Sequence, residues 1–143
     1  MKVAVGCDPN AEVLHQELID YVRTLGHEAD DFSGPDIDYA RVAEEVAEAV
    51  AARKYDRGIL LCGTGIEVMA AANRVRGAYI ANVTNVYSAR RVWLSKNCNI
   101  VAVSSRDADT EKVKEIVRIC LEGVSNSDKD TDAGTEYDGY GFF

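Results

Sequence analysis

The chain has 143 residues, of which 47% are hydrophobic and 28% charged, figures that suit one globular domain and are too small for two. A formal charge of −8 argues against nucleic acid or an anionic membrane surface as the main partner. No apolar run reaches the length of a membrane span, and the N-terminus opens on strand-like sequence rather than an export signal, so a cytoplasmic protein is expected. Cys7, Cys62, Cys98 and Cys120 are widely spaced with no C-x-x-C pair, which reads as reduced thiols. Only His15 and His27 are present, and neither stands at metal-ligand spacing from a cysteine, so no metal site is expected.

In chain order, Lys2-Val-Ala-Val-Gly6 reads as a short apolar strand. Asp8 follows as a candidate cap for a helix with Pro9 in its first position, where a missing N–H costs nothing. Leu14, Leu18, Val22 and Leu25 recur at helical spacing, and Gly26 supplies the stop. The segment from Glu28 to Phe32 is the second strand, despite its acidic content, and Ser33-Gly34-Pro35 is a turn. Asp38 is placed to cap a helix whose Val42, Val46 and Val50 line one face, leaving Glu44, Glu45 and Glu48 on a solvated side.

The centre of the chain is Gly58-Ile-Leu-Leu-Cys-Gly-Thr-Gly-Ile-Glu67. Ile59, Leu60 and Leu61 form a continuous apolar run that suits a strand buried on both faces. Cys62-Gly63-Thr64-Gly65 then turns into a helix from Val68 to Asn73. A thiol, a hydroxyl and two glycines therefore fall where a strand ends and a helix begins, the place where open α/β sheets bind ligands. A tight turn around a small buried cysteine fits the same residues.

Ala78 to Val83 reads as the fourth strand, Val86 to Lys96 as a helix carrying Arg90 and Arg91, and Ile100 to Val103 as the fifth strand. Val113, Ile116, Val117, Cys120 and Leu121 mark a last helix ended by Gly123, which makes Cys120 a core residue. The alternation predicts an α/β Rossmann-like three-layer sandwich, with a five-stranded parallel sheet and helices on both faces, over residues 1–124. Residues 125–143 break the pattern, with five acids against one lysine and then Tyr137, Tyr140, Phe142 and Phe143 among glycines. Such a tail either frays or docks on a neighbouring subunit.

With these residues in place, the chain from about residue 2 to 122 resembles the ribose-5-phosphate isomerase B and galactose-6-phosphate isomerase family. The likeness is carried by Gly6-Cys7-Asp8, Asp38-Tyr39, Gly58-Ile-Leu-Leu-Cys-Gly-Thr-Gly65, Ala71-Ala-Asn73, Tyr87-Ser-Ala-Arg90, and Asn99-Ile-Val-Ala-Val103 with Arg106 after it. It implies an aldose–ketose isomerase without metal or organic cofactor, acting through an enediolate, as a homodimer or homotetramer whose subunits share active sites. Such chemistry needs a base at the carbon that loses its proton and donors for the oxygen that becomes negative.

By position, the resemblance makes Cys62 the base, with the helix N-terminus expected to favour its thiolate. It makes Thr64 and the amides of Gly63 and Gly65 the oxyanion cradle, and Asp8 a ligand for sugar hydroxyls. Tyr39, Asn73 and Arg90 fall on its substrate side, and Arg106 is expected to reach across a dimer contact.

The departures from the family pattern are equally specific. Pro9 stands where a histidine is usual, Ser95 replaces the histidine associated with opening the sugar ring, and Lys96 replaces an asparagine. Glu67 takes the place of a glycine, where it is either an exposed acid of the first helical turn or a second candidate base. The C-terminal arginines that clamp phosphate have no counterpart in the acidic tail. Without a ring-opening histidine, an open-chain or short substrate is expected rather than ordinary ribose 5-phosphate. The alternative from another class is a catalytically weakened sugar-binding or partner subunit. A nucleotide-binding module is disfavoured by the absence of G-x-G-x-x-G and Walker patterns.

Overall fold

The structure, a computed structural model, describes residues 1–8, 12–34, 38–63, 66–95, 97–104 and 109–123. Five strands, β1 (Lys2–Cys7), β2 (Glu28–Asp31), β3 (Arg57–Cys62), β4 (Ile80–Val83) and β5 (Ile100–Ser104), alternate with five helices. The helices are α1 (Glu12–Thr24), α2 (Tyr39–Ala51), α3 (Ile66–Ala72), α4 (Val86–Ser95) and α5 (Thr110–Glu122). Every strand pair is parallel, and the order across the sheet is β2-β1-β3-β5-β4. The α/β three-layer sandwich with a five-stranded parallel sheet is therefore the fold of the chain.

The layers follow from the two-residue period of the central strands. Ile59 and Leu61 of β3 join Val3, Val5, Val101 and Val103 beneath α1, α4 and α5. Leu60 and Cys62 point the other way, with Ala4, Ile100 and Ala102, beneath α2 and α3. Ile59, Leu60 and Leu61 are completely buried, and each such side chain contributes about 1.5–3 kcal/mol on leaving water. The five residues singled out on the last helix are all buried, Cys120 among them.

Local chemistry sets the ends of the elements. β1 and β5 each run one residue beyond the expected end, to Cys7 and Ser104. β4 begins at Ile80 rather than Ala78, because Asn99 holds the preceding backbone: its Oδ1 accepts from Tyr79 N–H (2.8 Å) and its Nδ2 donates to the Gly77 carbonyl (2.9 Å). Asp38 occupies the cap position of α2 as expected, but its carbonyl rather than its carboxylate receives the first helical amides. Asp109 caps α5 with its side chain, accepting from Lys112 N–H at 2.8 Å. Gly123 ends α5 at φ +87°, and a β-carbon there would fall 2.3 Å from the Trp93 ring, so only glycine fits. Trp93 is thereby a packing residue between α4 and α5. The cap assigned to Asp8 with Pro9, and the tail from residue 125 onward, lie outside the described residues.

The contact that matters most for the site is between α2 and the sheet. A β-carbon on Gly6 would meet Val42 Cγ1 at 2.7 Å, and one on Gly58 would meet Val46 Cγ1 at 2.8 Å. Two glycines on adjacent strands thus let α2 lie flush on β1 and β3, which fixes where its first residue, Tyr39, falls. Valine is stiff at χ1 and cannot swing aside cheaply. Gly58→Ala is expected to destabilise the protein by about 1–3 kcal/mol through overpacking. Urea unfolding measures this, and an unchanged midpoint would contradict the close approach.

Candidate active site at the tips of β1 and β3

The sheet order creates one crevice by topology alone. The connection after β1 enters α1 on one face of the sheet, and that after β3 enters α3 on the other. The strand ends between these diverging helices form the switch point at which open α/β sheets hold ligands. Cys7 and Asp8 end one lip of it, and Cys62 and Gly63 end the other.

Backbone bonds tie the two lips together. Asp8 N–H donates to the Leu61 carbonyl at 3.0 Å, continuing the β1–β3 ladder one step past the sheet. The Tyr39 hydroxyl, from the first turn of α2, donates to the same carbonyl. On the far side of Cys62, the Ser104 hydroxyl at the end of β5 donates to the Gly63 carbonyl at 2.6 Å. Cys7 N–H is taken by the Ser33 hydroxyl at 2.7 Å, and its thiol reaches the Asp8 carbonyl at 3.1 Å. The Cys62 thiol itself contacts the Val103 carbonyl at 3.6 Å.

The electrostatics of this cluster correct one expectation. The helix N-terminus was expected to favour the Cys62 thiolate. Instead burial pushes the thiol up to about 11, and the Asp8 carboxylate adds to the shift. Cys62 is only 3% exposed, so desolvation of a charged sulfur outweighs the partial charge of a helix end. Tyr39 is likewise raised, first by burial and then by the neighbouring Cys62, Cys7 and Asp8. Its hydroxyl is therefore a permanent donor at working pH. Cys7 of β1, Asp8 just past it, Cys62 of β3 and Tyr39 of α2 thus interact electrostatically at one point.

Ser95 and Asn73 do not join that cluster. Ser95 ends α4, which runs back along the sheet from the tip of β4, and Ile100 opens β5 shortly after it. The register pairs Ile100 with Gly58 and Ser104 with Cys62, so Ser95 lies near the opposite edge, about 13 Å of strand away. Asn73 is exposed just beyond the far end of α3, and Arg90 stands midway along α4. Thr64, Gly65 and Arg106 lie outside the described residues, as does the side chain of Glu67. His15 and His27 are engaged elsewhere, with Asp31 (2.8 Å) and Glu122 (2.9 Å). Among the described residues no group of three or more His, Cys, Asp or Glu side chains converges as a metal site would require. No described helix is long and apolar enough to cross a membrane.

Two contributors escaped the sequence reading. Ser104 was passed over because the strand was expected to stop at Val103, and Ser33 because it read only as part of a turn. For Ser104 the available signal was a hydroxyl at the end of a buried apolar run, while Ser33, two residues past the mostly exposed β2, carried none.

Likeness to known proteins agrees with this geometry. Residues 3–134 match the profile of the family described as Ribose/Galactose Isomerase. The chain is similar to the D-erythrulose-4-phosphate isomerase of Pectobacterium atrosepticum, with 36% identity over 126 residues, 85% of this chain and 83% of that protein. It is 37% identical over 108 residues to the ribose-5-P isomerase B of Listeria innocua, covering 73% of each. The type B ribose 5-phosphate isomerase of Trypanosoma cruzi has the same fold, with a TM-score of 0.79 at 30% identity, over 94% of this chain and 95% of that one. These relatives favour an isomerase over a weakened binding or partner subunit. A switch-point thiol, the matched profile and the shared fold lead to one conclusion: the chain belongs to the ribose/galactose isomerase family and is a sugar-phosphate isomerase of that type.

Proposed function

We propose that the protein interconverts the aldose and ketose forms of a four-carbon sugar phosphate, in open-chain form, with Cys62 carrying the proton between adjacent carbons. The observation that supports this most directly is the Cys62 thiol at the tip of the central strand, beside Asp8 and Tyr39. A tetrose with phosphate on its fourth carbon cannot close the furanose ring through that oxygen, so it needs no ring-opening acid. Ser95 in the histidine's place fits such a substrate, and so does the name of the Pectobacterium relative.

In this reading Asp8 orients the sugar hydroxyls, while Thr64 and the amides of Gly63 and Gly65 receive the developing enediolate oxygen. The site is completed by a second copy of the chain. Ser95 and Cys62 belong to opposite edges of one sheet, so a Ser95 near substrate must come from a partner, and Arg106 is assigned the same route. Tyr87 and Leu94 are exposed on α4, the helix that ends in Ser95, and give that helix an apolar surface for the partner. Arg90, Arg91, Arg106 and Lys96 are the candidate cations for phosphate in place of the family's C-terminal clamp.

A thiol held near 11 is neutral in the free protein at pH 7, so ionisation must accompany substrate binding and the approach of a cation. The glutamate in the first turn of α3, Glu67, is the second candidate for the base.

Cys62→Ala is expected to lower exchange of the substrate carbon-bound hydrogen with solvent by at least about 100-fold, with circular dichroism unchanged. Wild-type exchange in that variant would transfer the role to Glu67. In the free protein the rate of Cys62 alkylation by iodoacetamide should climb with pH through 9 and beyond, because the thiolate fraction keeps growing until pH passes the thiol's raised value. A plateau by pH 8 would contradict a buried neutral thiol. On a panel of substrates, kcat/KM for D-erythrulose 4-phosphate should exceed that for ribose 5-phosphate, and a preference for the pentose would reject the four-carbon assignment.

A further inference from the structure

The carbonyls on either side of Cys62 are each capped by a side-chain hydroxyl from a different element. Tyr39 of α2 donates to Leu61, the residue before the thiol, and Ser104 of β5 donates to Gly63, the residue after it, at 2.6 Å. We propose that Tyr39 and Ser104 are positioning residues that clamp the turn at Cys62-Gly63, Tyr39 through the peptide that enters Cys62 and Ser104 through the carbonyl of Gly63, with Ser104 the more important of the pair. The proposal rests on the reading of Cys62 as the proton carrier.

Two physical consequences follow from this arrangement. A peptide unit is planar, so anchoring its oxygen also sets the direction of the N–H on its other side. Holding the Leu61 carbonyl therefore orients the amide of Cys62, and holding the Gly63 carbonyl restrains the residue that follows the thiol. The second consequence is electrostatic. Carbonyl oxygens carry partial negative charge, and beside an enediolate they would oppose the charge that the reaction develops. A hydroxyl donor occupies each oxygen and keeps it turned towards the protein.

The two halves of the clamp are unequal. The Leu61 carbonyl also receives Asp8 N–H at 3.0 Å, so it keeps a partner without Tyr39. Among the described residues Gly63 has nothing within 4 Å of where a β-carbon would stand, so their side chains do not pack against it. Glycine is also the residue with most backbone freedom. Among the described residues the Ser104 hydroxyl is the side-chain group that holds its carbonyl.

The test uses the full chain with Ser104→Ala, Ser104→Thr and Tyr39→Phe, and reads two quantities. The first is the rate of Cys62 alkylation by iodoacetamide, located by peptide mass mapping, with buried Cys120 as the internal control. The second is kcat and KM on D-erythrulose 4-phosphate. Ser104→Ala should speed Cys62 alkylation about tenfold and lower kcat by a similar factor while KM stays within about twofold. Tyr39→Phe should act in the same direction and less strongly, and Ser104→Thr, which keeps the hydroxyl, should restore both quantities. Cys120 should not respond.

Wild-type alkylation of Cys62 in both Ser104→Ala and Tyr39→Phe would overturn the clamp. So would a Ser104→Thr variant that behaves as the alanine does, or a parallel rise at Cys120, which would mark general destabilisation. A selective, threonine-rescued change at Cys62 in a protein that turns over no sugar phosphate would support the clamp and reject the isomerase reading of the site.

Discussion

Burial of β3 on both faces is the constraint from which the rest of the structure follows. Ile59 and Leu61 pack into one helical layer and Leu60 and Cys62 into the other, so no part of the strand's length is available to a polar ligand. Chemistry is confined to the strand's end, where the ladder stops and peptide groups need new partners. Those partners come from three directions: Asp8 from the neighbouring strand, Tyr39 from the helix above and Ser104 from the strand on the other side. The thiol itself packs into the core layer beneath α2 and α3, while hydrogen bonds fix the backbone of the residues on either side of it.

Placing a cysteine at such an edge has an electrostatic cost. The thiol is nearly inaccessible and lies near the Asp8 carboxylate, and both effects favour the neutral form. A free subunit therefore holds its nucleophilic sulfur in an unreactive state. On the same chain, α4 carries Ser95 away from the tips of the strands and exposes Tyr87 and Leu94 along the way.

Close approach of α2 to the sheet links fold to site. Gly6 and Gly58 remove the side chains that would hold the helix off, and the first residue of α2 then meets the last residues of β3. A substitution far down the strand can therefore disturb the tip without touching it. Gly123 under Trp93 does the same for the opposite layer, seating α5 against α4.

The sequence by itself determined the order of the elements, the layering of the core and the location of the central turn. Each depends on local spacing: two-residue alternation or unbroken apolar runs in the strands, helical recurrence in Val113 to Leu121, and glycine at the turns. The likeness in Gly6-Cys7-Asp8, Asp38-Tyr39 and Gly58 to Gly65 also named Asp8, Tyr39 and Cys62 as candidates before any geometry was known. Only the tertiary structure decided the state of the thiol, since desolvation depends on what surrounds the sulfur and not on which residues adjoin it in the chain. It likewise decided that Ser95 stands at the other edge of the sheet, because parallel register sets the distance between the two ends of a strand. The hydroxyl of Ser104 acquired a partner 41 residues away through the pairing of β5 with β3, a long-range contact that local spacing cannot encode.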